Sequence, residues 1–288
     1  MQKKARSSAT FQVLLHFRTG RKPFSKTCIF PNVHTRKQER ELYQAFFKKT
    51  RKKSNFFVVE GERALAELFK SDWNVLKIFA APQKAEKIKS LIPFECTGEI
   101  EEISSKKLTQ LAHTETPPGV LALVEKKTFT LEDVSAEKRV LILDNLRDPG
   151  NVGTLLRTAR SFGWGGVVLL KGTVELFSQK IVRSTAGALF HLKIVEGISG
   201  EKAVDFLKKQ NLTIWVADSH SGVTPQEGRG LINQAPTKLA LVIGSEAAGA
   251  SQTMLAKADR FVRIPLSKDV ESLNAAVSGG ILMYLLRT

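Results

Sequence analysis

The sequence is poor in cysteine and has no long apolar run, and each shortage narrows the kinds of protein it can encode. Only two cysteines, Cys28 and Cys96, occur in 288 residues. Two isolated cysteines give neither a disulfide framework nor the paired spacing of a metal site, so we expect a metal-free protein in a reducing cytoplasm. No uninterrupted apolar run approaches the roughly 20 residues of a membrane-spanning helix, which predicts a soluble chain with no membrane partner.

Two further absences exclude common classes of protein. No Gly-Lys-Ser/Thr follows the glycine-rich stretch at residues 244–249, and no G-x-G-x-x-G follows a predicted strand. Binding of nucleoside triphosphates or dinucleotides therefore loses its usual sequence support. The first 20 residues lack the apolar region and the small-residue cleavage site of a secretory signal peptide, so secretion is not expected.

Positive charge is in excess, and it is concentrated near the start of the chain. The net charge is +16, and residues 1–55 carry 15 Lys/Arg against two acidic residues, or +13, which leaves +3 for the other 233 residues. A concentrated basic segment is the electrostatic pattern of contact with a phosphate backbone. A solvated charge run that binds nothing is the alternative, but the cluster at residues 48–53 favours RNA. We expect residues 1–34 to form a basic, flexible arm.

Alternating apolar runs and amphipathic stretches predict an α/β protein in two parts. Residues 35–125 predict a small α/β domain, residues 126–138 a polar linker, and residues 139–288 a second domain. Strands of the second domain are predicted at 140–144, 166–170, 191–195, 212–217, 239–243 and 261–265, and its helices at 152–162, 178–188, 201–209, 251–257 and 272–286. This alternation is typical of a mostly parallel sheet with helices on both faces.

The most informative stretch is residues 140–170, which predicts a strand, a turn, a helix and a second strand. In such a unit the loops and helix N-termini gather at the carboxyl edge of the strands, where ligands bind. Polar side chains at that edge are therefore candidates for function. They are Asn145, Arg147, Asp148 and Asn151, followed six residues later by Arg157.

Two later loops also follow predicted strands. The turn at residues 244–249 is bracketed by Gly244 and Gly249, whose bare backbone allows close approach of a ligand. Residues 270–274 open the last predicted helix, with Ser272 as its N-cap. Each loop alone is weak evidence for a functional site. A glycine-rich turn usually does no more than reverse the chain, and Ser272 can be simply an N-cap.

Together these stretches resemble the three signature motifs of the SpoU (TrmH) family of RNA ribose 2′-O-methyltransferases in the SPOUT superfamily. The motifs lie at residues 148–153 with 157–159, at residues 243–249, and at residues 264–266 with 271–274. The resemblance covers residues 138–288. Residues 57–61 and 116–122 resemble the small ribosomal-protein-like substrate-binding domain of many family members.

The resemblance implies a fold and a cofactor that composition cannot indicate. It implies a deep trefoil knot in the C-terminal domain and binding of S-adenosylmethionine by backbone groups around Gly244, Ile264 and Leu273, with Gly249 and Leu266 in the same loops. It also implies a homodimer with the site at the subunit interface. Three positions depart from the usual family pattern: Leu266, Lys268 and Ala275.

The expected catalytic residues are Arg157, Asn151, Glu246, Ser272 and Asn274. The resemblance assigns activation of the ribose hydroxyl to Arg157, helped by an RNA phosphate. A guanidinium is effectively always protonated, so the chemistry of Arg157 favours charge stabilisation and phosphate binding, and Glu246 is the competing base. The polar side chains of Asn151, Ser272 and Asn274 would orient the ribose and the arginine.

The expected function is S-adenosylmethionine-dependent 2′-O-methylation of a ribose in ribosomal RNA. Two alternatives remain open at this point. Transfer RNA is the alternative substrate, although the small N-terminal domain favours ribosomal RNA. The other alternative is a non-catalytic RNA-binding protein on the same scaffold, which would not require the five polar residues.

Overall fold

The computed structural model describes residues 54–93, 100–112, 117–219, 221–227, 230 and 238–287. The predicted arm at residues 1–34 and both cysteines lie outside these ranges. None of the helices within them combines the length and apolar content needed to cross a membrane.

The N-terminal part is built on a four-stranded sheet, called here the small sheet. Its strands are β1 (Phe56–Glu60), β2 (Val75–Ala80), β3 (Ile100–Glu102) and β4 (Val120–Glu125), in the order β1-β4-β2-β3. Strand β4 is antiparallel to both neighbours, and β3 is parallel to β2. Its helices are α1 (Glu62–Leu68), α2 (Pro82–Lys89) and α3 (Ser105–Leu111). Apolar side chains of β1, β2 and β4 are almost fully buried, so this sheet has a core of its own.

The segment predicted as a polar linker, residues 126–138, contains a helix, α4 (Leu131–Ser135). Thr130 caps this helix through the backbone N–H of Asp133, and the Asp133 carboxylate accepts from the N–H of Thr130 in return. This reciprocal capping box satisfies N–H groups that would otherwise lack partners. Because Leu131 and Val134 are buried against the large C-terminal sheet, the segment packs on the fold and is more than a polar linker.

The C-terminal part is built on six strands that form one parallel sheet, the large sheet. In chain order they are β5 (Arg139–Leu143), β6 (Gly166–Leu170), β7 (Lys193–Ile198), β8 (Leu212–Ala217), β9 (Lys238–Ile243) and β10 (Arg260–Val262). Their order in the sheet is β10-β8-β9-β5-β6-β7, and all five pairings are parallel. The predicted parallel sheet is confirmed.

Helices cover both faces of the large sheet. They are α5 (Pro149–Ser161), α6 (Gln179–Ser184), α7 (Gly200–Lys209), α8 (Gln252–Ala256) and α9 (Ala275–Leu285). Alternate residues of a strand point to opposite faces. Accordingly, Leu141 and Leu143 of β5 belong to the core under α5, α6 and α9, whereas Val140 and Ile142 belong to the core under α4, α7 and α8.

The core under α5 continues into the small sheet. Phe57 of β1 packs on Phe177 with ring centroids 4.7 Å apart. The indole N–H of Trp73 donates to the carbonyl of Phe190 over 3.1 Å, and the side-chain amide of Gln179 donates to the carbonyl of Val58 over 3.1 Å. Buried aromatic packing together with these two hydrogen bonds joins the two sheets in one body.

The strand order places a crevice between β5 and β9. From β5 the chain crosses through α5 to β6 on one side, whereas from β9 it passes through α8 to β10 on the other side. The loops after these two neighbouring strands therefore leave in opposite directions. Such a reversal at the carboxyl edge of a parallel sheet is the usual position of a ligand site.

Candidate active site

Asp148 ends the loop after β5 and fixes the start of α5. Its carboxylate accepts from the backbone N–H of Asn151 over 3.0 Å, as an N-cap should. The backbone N–H groups of Asn151 and Gly150, together with the ammonium of Lys180 at 3.2 Å, hold the pKa of Asp148 below its ordinary value. The side chain of Asn151 is thereby set at the rim of the crevice.

Three side chains from three different loops meet at this rim. Atom Oε1 of Glu246 accepts from Nδ2 of Asn151 over 2.7 Å and from Nδ2 of Asn274 over 2.6 Å. The same Asn274 amide donates to Oδ1 of Asn151 over 3.1 Å, and the N–H of Ala275 reaches Glu246 Oε1 over 3.3 Å. The structure therefore brings together three of the five predicted catalytic residues, and we call them the amide–carboxylate cluster.

The last helix begins later than the sequence predicted. Asn274, and not Ser272, is its N-cap, because Oδ1 of Asn274 accepts from the N–H groups of Ala276 and Val277. Asn274 is the cap because its amide NH₂ group is held by Glu246 from another loop. This contact directs Oδ1 of Asn274 towards the first N–H groups of the helix. Ser272 lies two residues earlier and lines a cleft.

The loop after β9 is closed by its own backbone. Ser245 and Gly249 exchange two backbone hydrogen bonds of 3.0 and 2.9 Å. A β-carbon on Gly244 would lie 2.2 Å from the backbone nitrogen of Ala250. Gly244 is therefore required by the folding of the loop on itself, whereas the sequence suggested that a ligand needs the space.

A buried carboxylate ties this loop to β5. Oδ2 of Asp144 accepts from the N–H of Ser251 over 2.7 Å, and the N–H of Asp144 donates to the carbonyl of Ile243 over 3.0 Å. Asp144 is buried although charged side chains are mostly exposed. Asp144 was not among the candidates predicted from the sequence, although it directly follows a strand, as they do.

A cleft of about 410 Å³ lies between the loops after β8, β9 and β10. This volume falls within the range of small-molecule sites, about 300–1,000 Å³. All five residues predicted to bind the cofactor line it: Gly244, Gly249, Ile264, Leu266 and Leu273. Its other walls include residues that were not predicted from the sequence, Asp218 and Ser219 after β8 and Ser278 in α9. Asp218 and Ser219 could have been predicted, because they form a polar turn directly after strand β8.

A second cleft, of about 340 Å³, opens on the other side of Glu246. It is lined by Asn145, Arg147, Asp148 and Asn151 from the loop after β5, and by residues of the 244–249 loop. Asn145 adopts a left-handed backbone (φ 57°), which asparagine tolerates better than most residues. The amide–carboxylate cluster thus stands between two clefts.

Arg157 does not join the cluster. It lies on α5 six residues after Asn151, so its side chain is rotated by about 240° around the helix axis. It is exposed, and no described residue forms a hydrogen bond or ion pair with its guanidinium. The described residues of one copy therefore leave the guanidinium of Arg157 available to another group.

Lys268, one of the three departures from the family pattern that the sequence resembles, is accommodated without backbone strain. The N–H of Val270 donates to the carbonyl of Ser267 over 3.0 Å, so a turn bends the loop here. Among the described non-glycine residues a positive φ occurs at Asn145, Ala186 and Asn211 and not at Lys268. The side chain of Lys268 is exposed.

Comparison with known families agrees with this geometry. Residues 138–284 match the SpoU rRNA Methylase family. The chain belongs to this family. Residues 37–122 match the MRM3-like substrate binding domain. A relative from Bacillus subtilis, named 23S rRNA (guanosine(2553)-2′-O)-methyltransferase RlmP, is 34% identical over 242 residues, which cover 83% of this chain and 92% of the relative.

Solved structures of a SpoU methyltransferase and of an rRNA methyltransferase share the fold. AviRb from Streptomyces viridochromogenes, crystallised with the cofactor AdoMet, superposes with a TM-score of 0.73 at 24% identity, covering 86% of this chain and 96% of AviRb. An AdoMet-bound rRNA methyltransferase from Sinorhizobium meliloti also gives a TM-score of 0.73 at 24% identity, covering 86% and 92% of the two chains. The α/β fold of this SpoU chain is thus that of both solved methyltransferases.

Proposed function

We propose that the chain transfers a methyl group from S-adenosylmethionine to the 2′-hydroxyl of a ribose in ribosomal RNA. The observation that carries the proposal is the amide–carboxylate cluster, which joins motif residues of three loops at the mouth of a small-molecule cleft. A non-catalytic RNA-binding protein would not need these contacts. The B. subtilis relative, named as a 23S rRNA 2′-O-methyltransferase, supports ribosomal RNA as the substrate.

The cleft beside Gly244 fits S-adenosylmethionine. Ile264, Leu266 and Leu273 supply an apolar wall for a flat base, and Asp218 and Ser272 offer polar groups to hydroxyl and ammonium groups. When bound, the cofactor supplies a methyl group on a sulfonium, whose departure leaves a neutral thioether. The chain itself must then orient the ribose hydroxyl and stabilise the negative charge that develops on its oxygen.

The hydrogen bonds divide these tasks within the cluster. Both amide hydrogens of Asn274 are used, one on Glu246 and one on Asn151. Asn151 gives one amide hydrogen to Glu246 and, among the described residues, keeps the second. We therefore assign Asn151 as the donor that orients the ribose, and Glu246 and Asn274 as the groups that hold Asn151 in place.

Arg157 fits a role in charge stabilisation across a subunit interface. Its exposed guanidinium is turned away from the cluster of its own copy, and a guanidinium binds phosphate oxygens in a planar, bidentate manner. In a homodimer, an exposed arginine of one copy can serve the site of the other. We propose that Arg157 stabilises charge on the ribose oxygen and on the RNA phosphate in this way.

The homodimer is itself proposed from the groove between α5 and α9. This open groove of about 690 Å³ is lined mainly by apolar side chains, and it adjoins Asn151 and Asn274. Val277 and Tyr284 are 50% and 47% exposed there, and a contiguous exposed apolar patch is typical of an interaction surface. A second copy packed on this groove would place the two sites next to the interface.

The domain assignments follow from the same proposal. We assign residues 35–125 to a ribosomal-protein-like RNA substrate-binding domain, residues 1–34 to a basic arm that contacts RNA, residues 126–138 to the connection, and residues 139–288 to the methyltransferase domain. The family resemblance implies a trefoil knot, and we place it in the segment that contains the loops after β9 and β10 and helix α9. We place the protein in the cytoplasm, with its RNA substrate.

The test is a map of 2′-O-methylated nucleotides in ribosomal RNA from a strain that lacks the gene. We expect a methylated nucleotide to disappear, to return with the wild-type gene, and to stay absent with Asn151→Ala, while the transfer RNA map does not change. An unchanged ribosomal RNA map, or a change confined to transfer RNA, would contradict the proposed substrate.

A further inference from the structure

Two cations on α6 lie beside the candidate active site. Lys180 is paired with Asp148, the N-cap of α5, and one helical turn later Arg183 approaches Glu60 of the small sheet at 4.0 Å. Residues three apart on a helix are neighbours on its surface, with β-carbons about 5–6 Å apart. Helix α6 therefore carries positive charge from the rim of the active site to the edge of the small sheet.

A second pair of cations with the same spacing continues from that edge. Lys84 and Lys87 of α2 both contact the carboxylate of Glu62, which follows Glu60 by two residues. At the other end, exposed Arg147 precedes Asp148 and lines the second cleft. The resulting set runs from the site to the small sheet, and we call it the cation path: Arg147, Lys180, Arg183, Lys84 and Lys87.

In every ion pair along the path the cation is the outer partner. The side chains of Lys180 and Arg183 are 62% and 37% exposed, against 48% for Asp148 and 1% for Glu60. Those of Lys84 and Lys87 are 38% and 62% exposed, against 23% for Glu62. A molecule that approaches this surface therefore meets ammonium and guanidinium groups before it meets carboxylates.

We propose that the cation path binds the phosphate backbone of the RNA between the methylated nucleotide and the small sheet. The inference rests on the proposed function, because it takes RNA as the substrate. Exposed ion pairs contribute little to stability, so a phosphate can replace the carboxylate as the partner of Lys180, Lys84 and Lys87. Arg183 lies 4.0 Å from the buried Glu60, and its guanidinium carries five N–H donors, so it can bind a phosphate as well. The acids beneath fix the direction of the cations before the RNA arrives.

The test measures how RNA affinity depends on salt, without S-adenosylmethionine and with single-stranded oligouridine as the probe. Each phosphate contact to a single strand contributes about 0.7 to the slope of log affinity against log salt. Two double variants are compared with the wild type, Lys180→Gln with Arg183→Gln and Lys84→Gln with Lys87→Gln. Each is expected to lower the slope by about 1.4, with unchanged binding of S-adenosylmethionine by calorimetry.

A matched control removes two ion-paired lysines on the opposite face of the large sheet. Lys208 and Lys257 pair with Asp259 and Asp205, and their side chains are 38% and 30% exposed. The double variant Lys208→Gln with Lys257→Gln should keep the wild-type slope.

Slopes equal to wild type in both path variants, or a slope lowered as much by the control, would overturn the cation path. Failure of the proposed function is a separate result. It would appear as no cofactor binding and no methyl transfer by the wild type, whatever the slopes are.

Discussion

At the residue scale, Gly244 couples the shape of its loop to the shape of the cofactor cleft. Because a β-carbon there would overlap the backbone at residues 249–250, Gly244→Ala must push the loop open. We expect a loss of about 1–3 kcal/mol in the free energy of unfolding and weaker binding of S-adenosylmethionine. Calorimetric titration and chemical denaturation measure the two effects.

Gly163→Ala is the control, since a β-carbon at that position meets nothing within 4 Å and the residue lies in a turn away from the cleft. Its free energy of unfolding should fall by about 1–2 kcal/mol, the cost of an alanine in a left-handed backbone conformation, and it should bind the cofactor normally. Wild-type cofactor affinity in folded Gly244→Ala would remove this loop from the cofactor site.

The roles of Arg157 and Glu246 can be separated by the pH dependence of single-turnover methylation. If Arg157 stabilises charge, Arg157→Lys lowers the rate without a new ionisation. If Arg157 is the base, the rate of the lysine variant climbs with pH towards a pKa of about 10.4. We expect the flat profile.

Glu246→Gln tests the competing base. Its amide oxygen can still accept from Asn151 and Asn274, but a bond to a charged acceptor is stronger than a neutral one by about 1 kcal/mol. We expect roughly a fivefold loss of rate at unchanged pH dependence. A loss of several orders of magnitude would instead identify Glu246 as the base.

At the scale of elements, the start of α5 should make stability depend on pH. Asp148 has a folded-state pKa below the ordinary value of 3.8, so it stabilises the fold at higher pH and loses this effect as pH falls through the folded-state pKa. Asp148→Ala should cost about 1 kcal/mol at pH 7. Urea denaturation at a series of pH values should show the difference between variant and wild type narrowing below pH 3.8; a constant difference would rule out the carboxylate as the cap.

Most of the elements could be predicted from the sequence, and the exceptions have physical causes. β3 is three residues long, Ile-Glu-Glu, and shows no periodic pattern that a sequence can reveal. Helix α4 lies in a segment whose polar composition predicted a linker, although Thr130 and Asp133 have the spacing of a capping box in the sequence. For the last helix, Ser272 and Asn274 are both good caps by type, and only the contact of Asn274 with Glu246 decides between them.

The candidate site was predictable in its members and not in its arrangement. Strand-ending loops and motif resemblance identified Asn151, Glu246 and Asn274, but Asn151 and Glu246 are 95 residues apart in the chain. Whether they touch depends on the order of β5 and β9 in the sheet, which local patterns do not encode. Arg157 lies away from the cluster because a residue six positions after Asn151 faces a different side of the helix. This could have been predicted from the sequence spacing alone.

At the scale of the whole molecule, the groove between α5 and α9 should control assembly. Val277→Glu places a charge in the middle of this apolar surface, where a buried, unpaired carboxylate is costly. We expect the dimer to dissociate, as measured by sedimentation. Val270→Glu, at a residue 44% exposed outside the groove, should leave the oligomeric state as it is. A monomeric wild type, or a Val277→Glu protein that remains dimeric, would contradict the proposed interface.

The most direct test of the account follows the methyl group to its destination. The purified protein is incubated with ribosomal RNA and S-adenosylmethionine carrying an isotopic label in its methyl group, and the RNA is then digested to nucleosides for mass spectrometry. We predict that the label appears in a 2′-O-methylated ribose with the wild type and that Asn151→Ala forms little of it. Label on a base, or full transfer by Asn151→Ala, would contradict a site in which the amide–carboxylate cluster orients the ribose hydroxyl.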